Sequence, residues 1–226
     1  MTWTESTDRY SVPSGALRMS LFLQILDRFP PGRLLDLGTG HGMFARLAAD
    51  CGWDVTAVDA RDERFPADPR VTWLHQDIRD CATAGYDLVC ALGLWYHLTL
   101  ADQLGLAARS EGAPLMIDTH IAMEDKRAHR KHGKRVSRIL TDTGYEGRHY
   151  FEGDLQDRFT ASFRNEKSFW PTEASLRREL TSSGYDVVET FDPPIDADRR
   201  FFLATRIDAD RGTRLDDLIT PYIPRA

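Results

Sequence analysis

Apolar and polar positions alternate along this chain in two periods. Leu34-Leu35-Asp36-Leu37 is nearly all apolar, as in a strand buried on both faces, and it runs straight into Gly38-Thr39-Gly40-His41-Gly42 and then a helical segment through Ala49. Ahead of it, apolar residues at 17, 21, 22, 25, 26 and 29 form one helical stripe, which Pro30-Pro31-Gly32 ends. Four further strand-like runs follow: Trp53 to Asp59, Val71 to His75, Tyr86 to Gly93 and Ala113 to Asp118. Thr172 is placed to cap a helix over 173–180, and Tyr185 to Thr190 and Arg200 to Arg206 read as closing strands. Strands alternating with helices predict a parallel α/β sheet. Residues from about 121 to 170 break the alternation, and Tyr145 to Gly153 within them has the pattern of a strand or hairpin. A break of that length predicts an inserted functional segment.

A chain of 226 residues suits one α/β domain, here 1–226, with 121–170 as its inserted cap. The formal charge of −6 argues against a general affinity for nucleic acid or anionic membrane. One local exception stands out, seven Lys/Arg among the thirteen residues from Lys126 to Arg138. That run reads either as a solvated face or as an anion site. No apolar stretch is long enough to span a bilayer and the N-terminus lacks a signal-peptide pattern, so a cytoplasmic location is expected. Cys51, Cys81 and Cys90 suit reduced thiols, and His129, His132 and His149 match no standard metal-ligand spacing, so no metal is expected.

The candidate chemistry starts at the glycine bend. A dinucleotide fingerprint needs a glycine where this chain has Met43, and a carboxylate at Asp36 would repel a pyrophosphate while suiting an ammonium group. Glycines at 38, 40 and 42 would let backbone N–H groups approach a small charged ligand at the positive end of the next helix. Asp59 follows Gly38 by 21 residues, the distance at which a βαβ unit returns an acid to a ribose. Asp77 ends the next strand, so parallel topology would gather Asp36, Asp59 and Asp77 at one sheet edge.

Gly38-x-Gly40-x-Gly42 behind Asp36, followed in order by Asp59 and Asp77-Ile78, resembles the motifs of the class I S-adenosylmethionine (SAM) methyltransferases over residues 15–206. The resemblance implies a seven-stranded sheet in the order 3-2-1-4-5-7-6, helices on both faces, a substrate cap after strand five, SAM as cofactor and S-adenosylhomocysteine (SAH) as product. It maps cofactor contacts onto Asp36, Gly38, Thr39, Gly40, Asp59, Ala60, Asp77, Ile78 and Leu92, with Tyr10 and its neighbours folding over the cofactor. It places acceptor contacts at Trp95, Tyr96, Asn165 and Trp170, and it leaves His97 and His120 as candidate bases with Asp118 orienting His120. Leu92-Gly93-Leu94-Trp95 stands where amino-methylating nucleic-acid enzymes of this fold carry an Asn/Asp-Pro-Pro-Tyr/Phe tetrad, which argues against DNA. The expected reaction is methyl transfer to a hydroxyl of a sugar or secondary metabolite. The alternatives are an RNA-modifying enzyme docking through 126–138, a non-catalytic SAM-binding partner subunit and, more distantly, an NAD(P) oxidoreductase; a homodimer is left open.

Overall fold

The computed structural model describes residues 14–110, 112–129, 134–153, 162–193 and 196–207. Tyr10 with the N-terminal segment expected over the cofactor, and 130–133 of the basic run, lie outside them.

Five strands run parallel: β1 (Arg33–Leu37), β2 (Asp54–Asp59), β3 (Val71–His75), β4 (Leu88–Leu92) and β5 (Leu115–His120). Of two late strands, β10 (Arg199–Thr205) adds on antiparallel beside β5, and β9 (Val187–Phe191) pairs antiparallel with β10 at the edge, so that it runs in the direction of the first five. The sheet order is β3-β2-β1-β4-β5-β10-β9, which is 3-2-1-4-5-7-6 when the sheet's own strands are counted along the chain.

Neighbouring residues on a strand point to opposite faces, so this sheet needs cover on both. Leu34, Leu88, Cys90, Met116 and Phe201 pack on one side against Phe22 and Ile25 of α1 (Ser14–Leu26) and Phe44 and Ala48 of α2 (Met43–Asp50). Leu35, Val89, Leu115, Ile117 and Phe202 pack on the other against Leu106 of α3 (Leu100–Arg109) and Leu176 and Leu180 of α4 (Glu173–Ser182). Thr172 caps α4 as its sequence suggests, its hydroxyl accepting from the Ser175 N–H at 3.2 Å.

Between β5 and α4 the chain builds a second, three-stranded antiparallel sheet from β6 (Leu140–Asp142), β7 (Tyr145–Phe151) and β8 (Lys167–Pro171). Thr143 and Gly144 join β6 to β7 with φ of 44° and 89°, the paired positive φ of a two-residue hairpin turn. β8 seats this cap on the larger sheet: the Phe169 N–H donates to the Leu98 carbonyl at 2.8 Å, just past β4.

Candidate active site

Strand order reverses between β1 and β4, the point at which an open parallel sheet leaves a crevice beyond its strand ends. A cleft of about 370 Å³ lies there, enough for one small ligand. Its floor is the bend after β1. Gly38 and Gly40 have φ of 66° and 56°, and a Cβ at Gly38 would come within 2.8 Å of Leu94, so only glycine fits.

Four of the bend's five N–H groups are already engaged within the protein, which the sequence expectation did not anticipate. Those of Gly38 and Thr39 donate to the Val58 carbonyl, that of Gly40 to Asp59 Oδ2 at 2.9 Å and that of Gly42 to the Thr39 carbonyl. What faces the cleft is bare glycine backbone, a poor cradle for a pyrophosphate and a good one for an apolar or cationic group. Asp36 sits beneath this surface, 2% exposed, its Oδ2 accepting from the Thr39 hydroxyl at 2.6 Å. Burial pushes its carboxyl up to about 7, with the neighbouring charge of Asp59 adding to the rise. It therefore shapes the bend through Thr39 and does not itself line the cleft.

Asp59 and Asp77 do line it, with Ala60, Ile78 and Leu92. Each acid carries a guanidinium partner that sequence reasoning missed. Arg64 Nη2 lies 3.1 Å from both oxygens of Asp59, and Arg79 grips Asp77 through Nε at 2.9 Å and Nη2 at 2.7 Å. Burial raises the Asp77 carboxyl, but the hydrogen bonds and charge of Arg79 outweigh it and leave the group below its ordinary range. Arg79 Nη2 also donates to the Phe163 carbonyl at 3.2 Å, tying the cap to this end of the cleft.

At the other end, Arg18 of α1 lines the wall beside Gly93. Its partner Asp118 is fully buried and shared with Arg199, whose Nη2 lies 2.7 Å away. Two guanidiniums share this carboxylate, and Arg18 presents its charge to the cleft wall. Burial raises the Asp118 carboxyl, yet the charge of Arg199 and then Arg18 holds it below the usual carboxylate range. Asp118 is thus an anchor for two arginines and, against expectation, does not orient His120; Asp198 does, at 3.1 Å.

The two candidate bases are held very differently. His120 has both ring nitrogens engaged: Arg199 Nη1 donates to Nε2 at 3.0 Å, so Nδ1 carries the proton and donates to Asp198 Oδ1. Burial, the largest effect, keeps its pKa below the ordinary histidine value. It lies behind the cleft, stacked on Trp170 at 4.9 Å. His97 lines the cleft, in the 3-10 turn Trp95–His97 after β4. Its Nδ1 is buried and points to Glu152 of the cap at 3.5 Å, and no described residue occupies its Nε2. Tyr96 and Asn165 line the same wall, Asn165 Nδ2 donating to the His97 carbonyl at 2.9 Å.

Trp95 and Trp170, expected as acceptor contacts, are both core residues, 0% and 1% exposed. Trp170 stacks between Tyr150 and His120 and donates from Nε1 to the Tyr96 carbonyl at 2.9 Å, so it supports the cleft wall from behind. Among the described residues no group of three or more His, Cys, Asp or Glu stands together to hold a metal ion.

The model of a methyltransferase domain matches residues 14–190. The chain belongs to that family. This methyltransferase has structural neighbours at low identity, which speak for the fold. The N-terminal domain of EvdMO1 with SAH bound superposes with a TM-score of 0.64 at 19% identity, over 89% of this chain and 88% of that one. The same domain in the presence of SAH and D-fucose gives 0.63 at 20%, over 88% and 84%. The glycopeptide N-methyltransferase MtfA complexed with SAM gives 0.54 at 19%, over 84% and 87%. No curated protein sequence matches the methyltransferase. Its fold is that of the class I SAM-dependent enzymes.

Proposed function

We propose that this methyltransferase moves the methyl group of SAM to a hydroxyl of a small molecule, a sugar or secondary metabolite, with His97 as the general base. One observation carries the assignment of the base: His97 lines the cleft with Nδ1 turned to a buried carboxylate and Nε2 left open, whereas both nitrogens of His120 are engaged. The neighbour crystallised in the presence of D-fucose supports a sugar acceptor, and the acidic chain favours a small molecule over a polyanion.

The cleft fits the cofactor. Asp59 and Ala60, which line the cleft, would hold the ribose, Asp77 and Ile78 would meet the adenine, and the bare bend at Gly38 and Gly40 would take the methionine chain. Arg18 supplies the positive charge that a carboxylate needs, and Asp36 acts from below through Thr39. When bound, SAM supplies a methyl carbon on a positive sulfur; the acceptor oxygen forms the new C–O bond and the C–S pair returns to sulfur, giving SAH. His97 Nε2 takes the hydroxyl proton as the oxygen attacks. Tyr96 and Asn165 hold the acceptor against that nitrogen, so alignment supplies most of the rate.

The test is a pair of variants assayed for SAH release with a panel of sugars. His97→Asn should lower kcat by about 10²–10⁴-fold, the usual worth of a general base, with SAH affinity by calorimetry unchanged within about twofold. His120→Asn should lower stability instead. Full turnover in His97→Asn would refute the role of His97.

A further inference from the structure

Glu152 is a buried acid that the reading above leaves without a task. It follows β7 in the cap, is 1% exposed, and belongs to the inserted segment rather than to the sheet that holds His97. A carboxylate taken that far out of water normally has a Lys or Arg beside it. Among the described residues none pairs with this one. Its Oε1 accepts from the hydroxyls of Ser162 and of Ser168, the latter at 2.8 Å, and faces His97 Nδ1 at 3.5 Å. Two neutral donors orient the carboxylate without cancelling its charge. Arg135 Nη1 bonds the main-chain carbonyl of Glu152 at 3.0 Å, while the group that faces its Oε1 and can gain a positive charge is His97. The other acids of the cleft have cations of their own: Asp59 has Arg64, Asp77 has Arg79, and Asp102 lies 4.0 Å from Arg79.

Resting on the assignment of His97 as base, we infer that Glu152 is its positioning residue, so that the cap completes a His97–Glu152 dyad and is part of the catalytic apparatus as well as a lid over the acceptor. The carboxylate does this in two ways. It holds the neutral ring as the Nδ1–H tautomer, which leaves the Nε2 lone pair for the acceptor hydroxyl. It also stabilises the imidazolium that forms when the hydroxyl proton reaches Nε2, in a site where little water screens the pair. Burial raises the Glu152 carboxyl, but the facing His97 ring, 3.5 Å away and outside normal hydrogen-bond geometry, and the bonds from Ser162 and Ser168 bring it below its ordinary range, so the acid is ionised at neutral pH. A purely structural Glu152 would instead serve only to join β7 to β8 through its serines.

Nitrogen-15 NMR of the histidine side chains in the full chain reads this without any turnover assay, so its outcome is separate from that of the His97 activity test. In the wild-type protein, neutral His97 should be the Nδ1–H tautomer. Glu152→Gln should release the tautomer toward Nε2–H. Ser168→Ala keeps the carboxylate and should keep the Nδ1–H tautomer. In the assay Glu152→Gln should lower kcat at least tenfold, leave SAH affinity unchanged and change the acidic limb of the pH profile. An Nε2–H tautomer in the wild type, or an unchanged tautomer in Glu152→Gln, would overturn the dyad. Intact NMR coupling with full activity in His97→Asn would leave the pair standing and sink the base assignment instead.

Discussion

Glu179 shows how far a single side chain can depart from what its letter suggests. It lies on α4 with no exposure, and neither carboxyl oxygen has a hydrogen-bond partner within normal geometry. Burial pushes its pKa up to about 8. The folded state therefore holds a proton that the unfolded chain, with an ordinary glutamate, gives up above about 4.5. Stability from this group is complete below 4.5 and is lost as pH rises through about 8. Glu179→Gln should remove the loss, flattening the melting temperature against pH between 5 and 9; Asp36, raised in the same direction, still titrates in the variant, so the difference between the two curves isolates Glu179. An unchanged slope would mean that the acid finds water or a partner when charged. In sequence Glu179 is one more charge on an amphipathic helix. Glu152, Asp198 and Arg199 were equally silent, because each is defined by a partner far along the chain: Asp198 by His120 and His129, Arg199 by Asp118. Arg79 was closer to view, two residues past Asp77, a spacing at which an acid and a base can meet across a turn.

Among the elements, the cap is joined to the sheet by rings as well as by the backbone hydrogen bonds of β8. Tyr150, Trp170 and His120 form a continuous stack, with centroids 5.0 and 4.9 Å apart, running from β7 through β8 to β5. Aromatic faces contribute through buried area first and through geometry second. Trp170→Ala should therefore destabilise the protein by about 3–5 kcal/mol in urea unfolding, as large-to-small changes at buried tryptophans do. It should also lower kcat, since Tyr96 loses its support. A cost under about 1 kcal/mol would mean that the cap closes on the sheet by other contacts. The elements themselves were legible: the run from Leu34 to Leu37, the fully buried β4 and β5, and the Thr172 cap each obey a local rule. Of the cap, the strand β7 was legible in the alternation from Tyr145 to Gly153, whereas its pairing with β8 was not, because β8 reaches it across a long connection.

Over the whole molecule, the charges buried between cap and sheet set the acid limit. Asp198 binds both His120 and His129, and the Nε2 of His129 accepts the Met123 N–H at 3.2 Å, so His129 too is neutral with its proton on Nδ1. Protonating His120 would set an N–H against Arg199, in a pocket where Asp198, Asp118, Tyr96 and Trp170 are also packed. Because burial holds its pKa below 6.5, the unfolded state binds more protons as pH falls from 6.5. The stability is complete above 6.5 and is lost below it, and the lowered carboxyls of Asp198 and Asp118 extend the loss past their ordinary range near 3.8. Between pH 7 and pH 5 this loss opposes the gain from Glu179 and Asp36, so His120→Phe, which keeps a ring on Trp170, should make the melting temperature rise more steeply as pH falls over that interval; an equal slope would place the sensitive group elsewhere.

By itself the sequence determined the parallel α/β sheet, the bend and two acids that edge the cleft, Asp59 and Asp77, since these follow from periodicity, glycine backbone and spacing within successive βα units; the strand order came with the resemblance to class I methyltransferases. Only the tertiary structure decided that Trp95 and Trp170 belong to the core, that Asp118 serves two arginines, and that His97 rather than His120 has a nitrogen open to the cleft. Those outcomes depend on which side chains meet across distant segments. Burial and a partner's charge, which no local pattern carries, settle what each group can do.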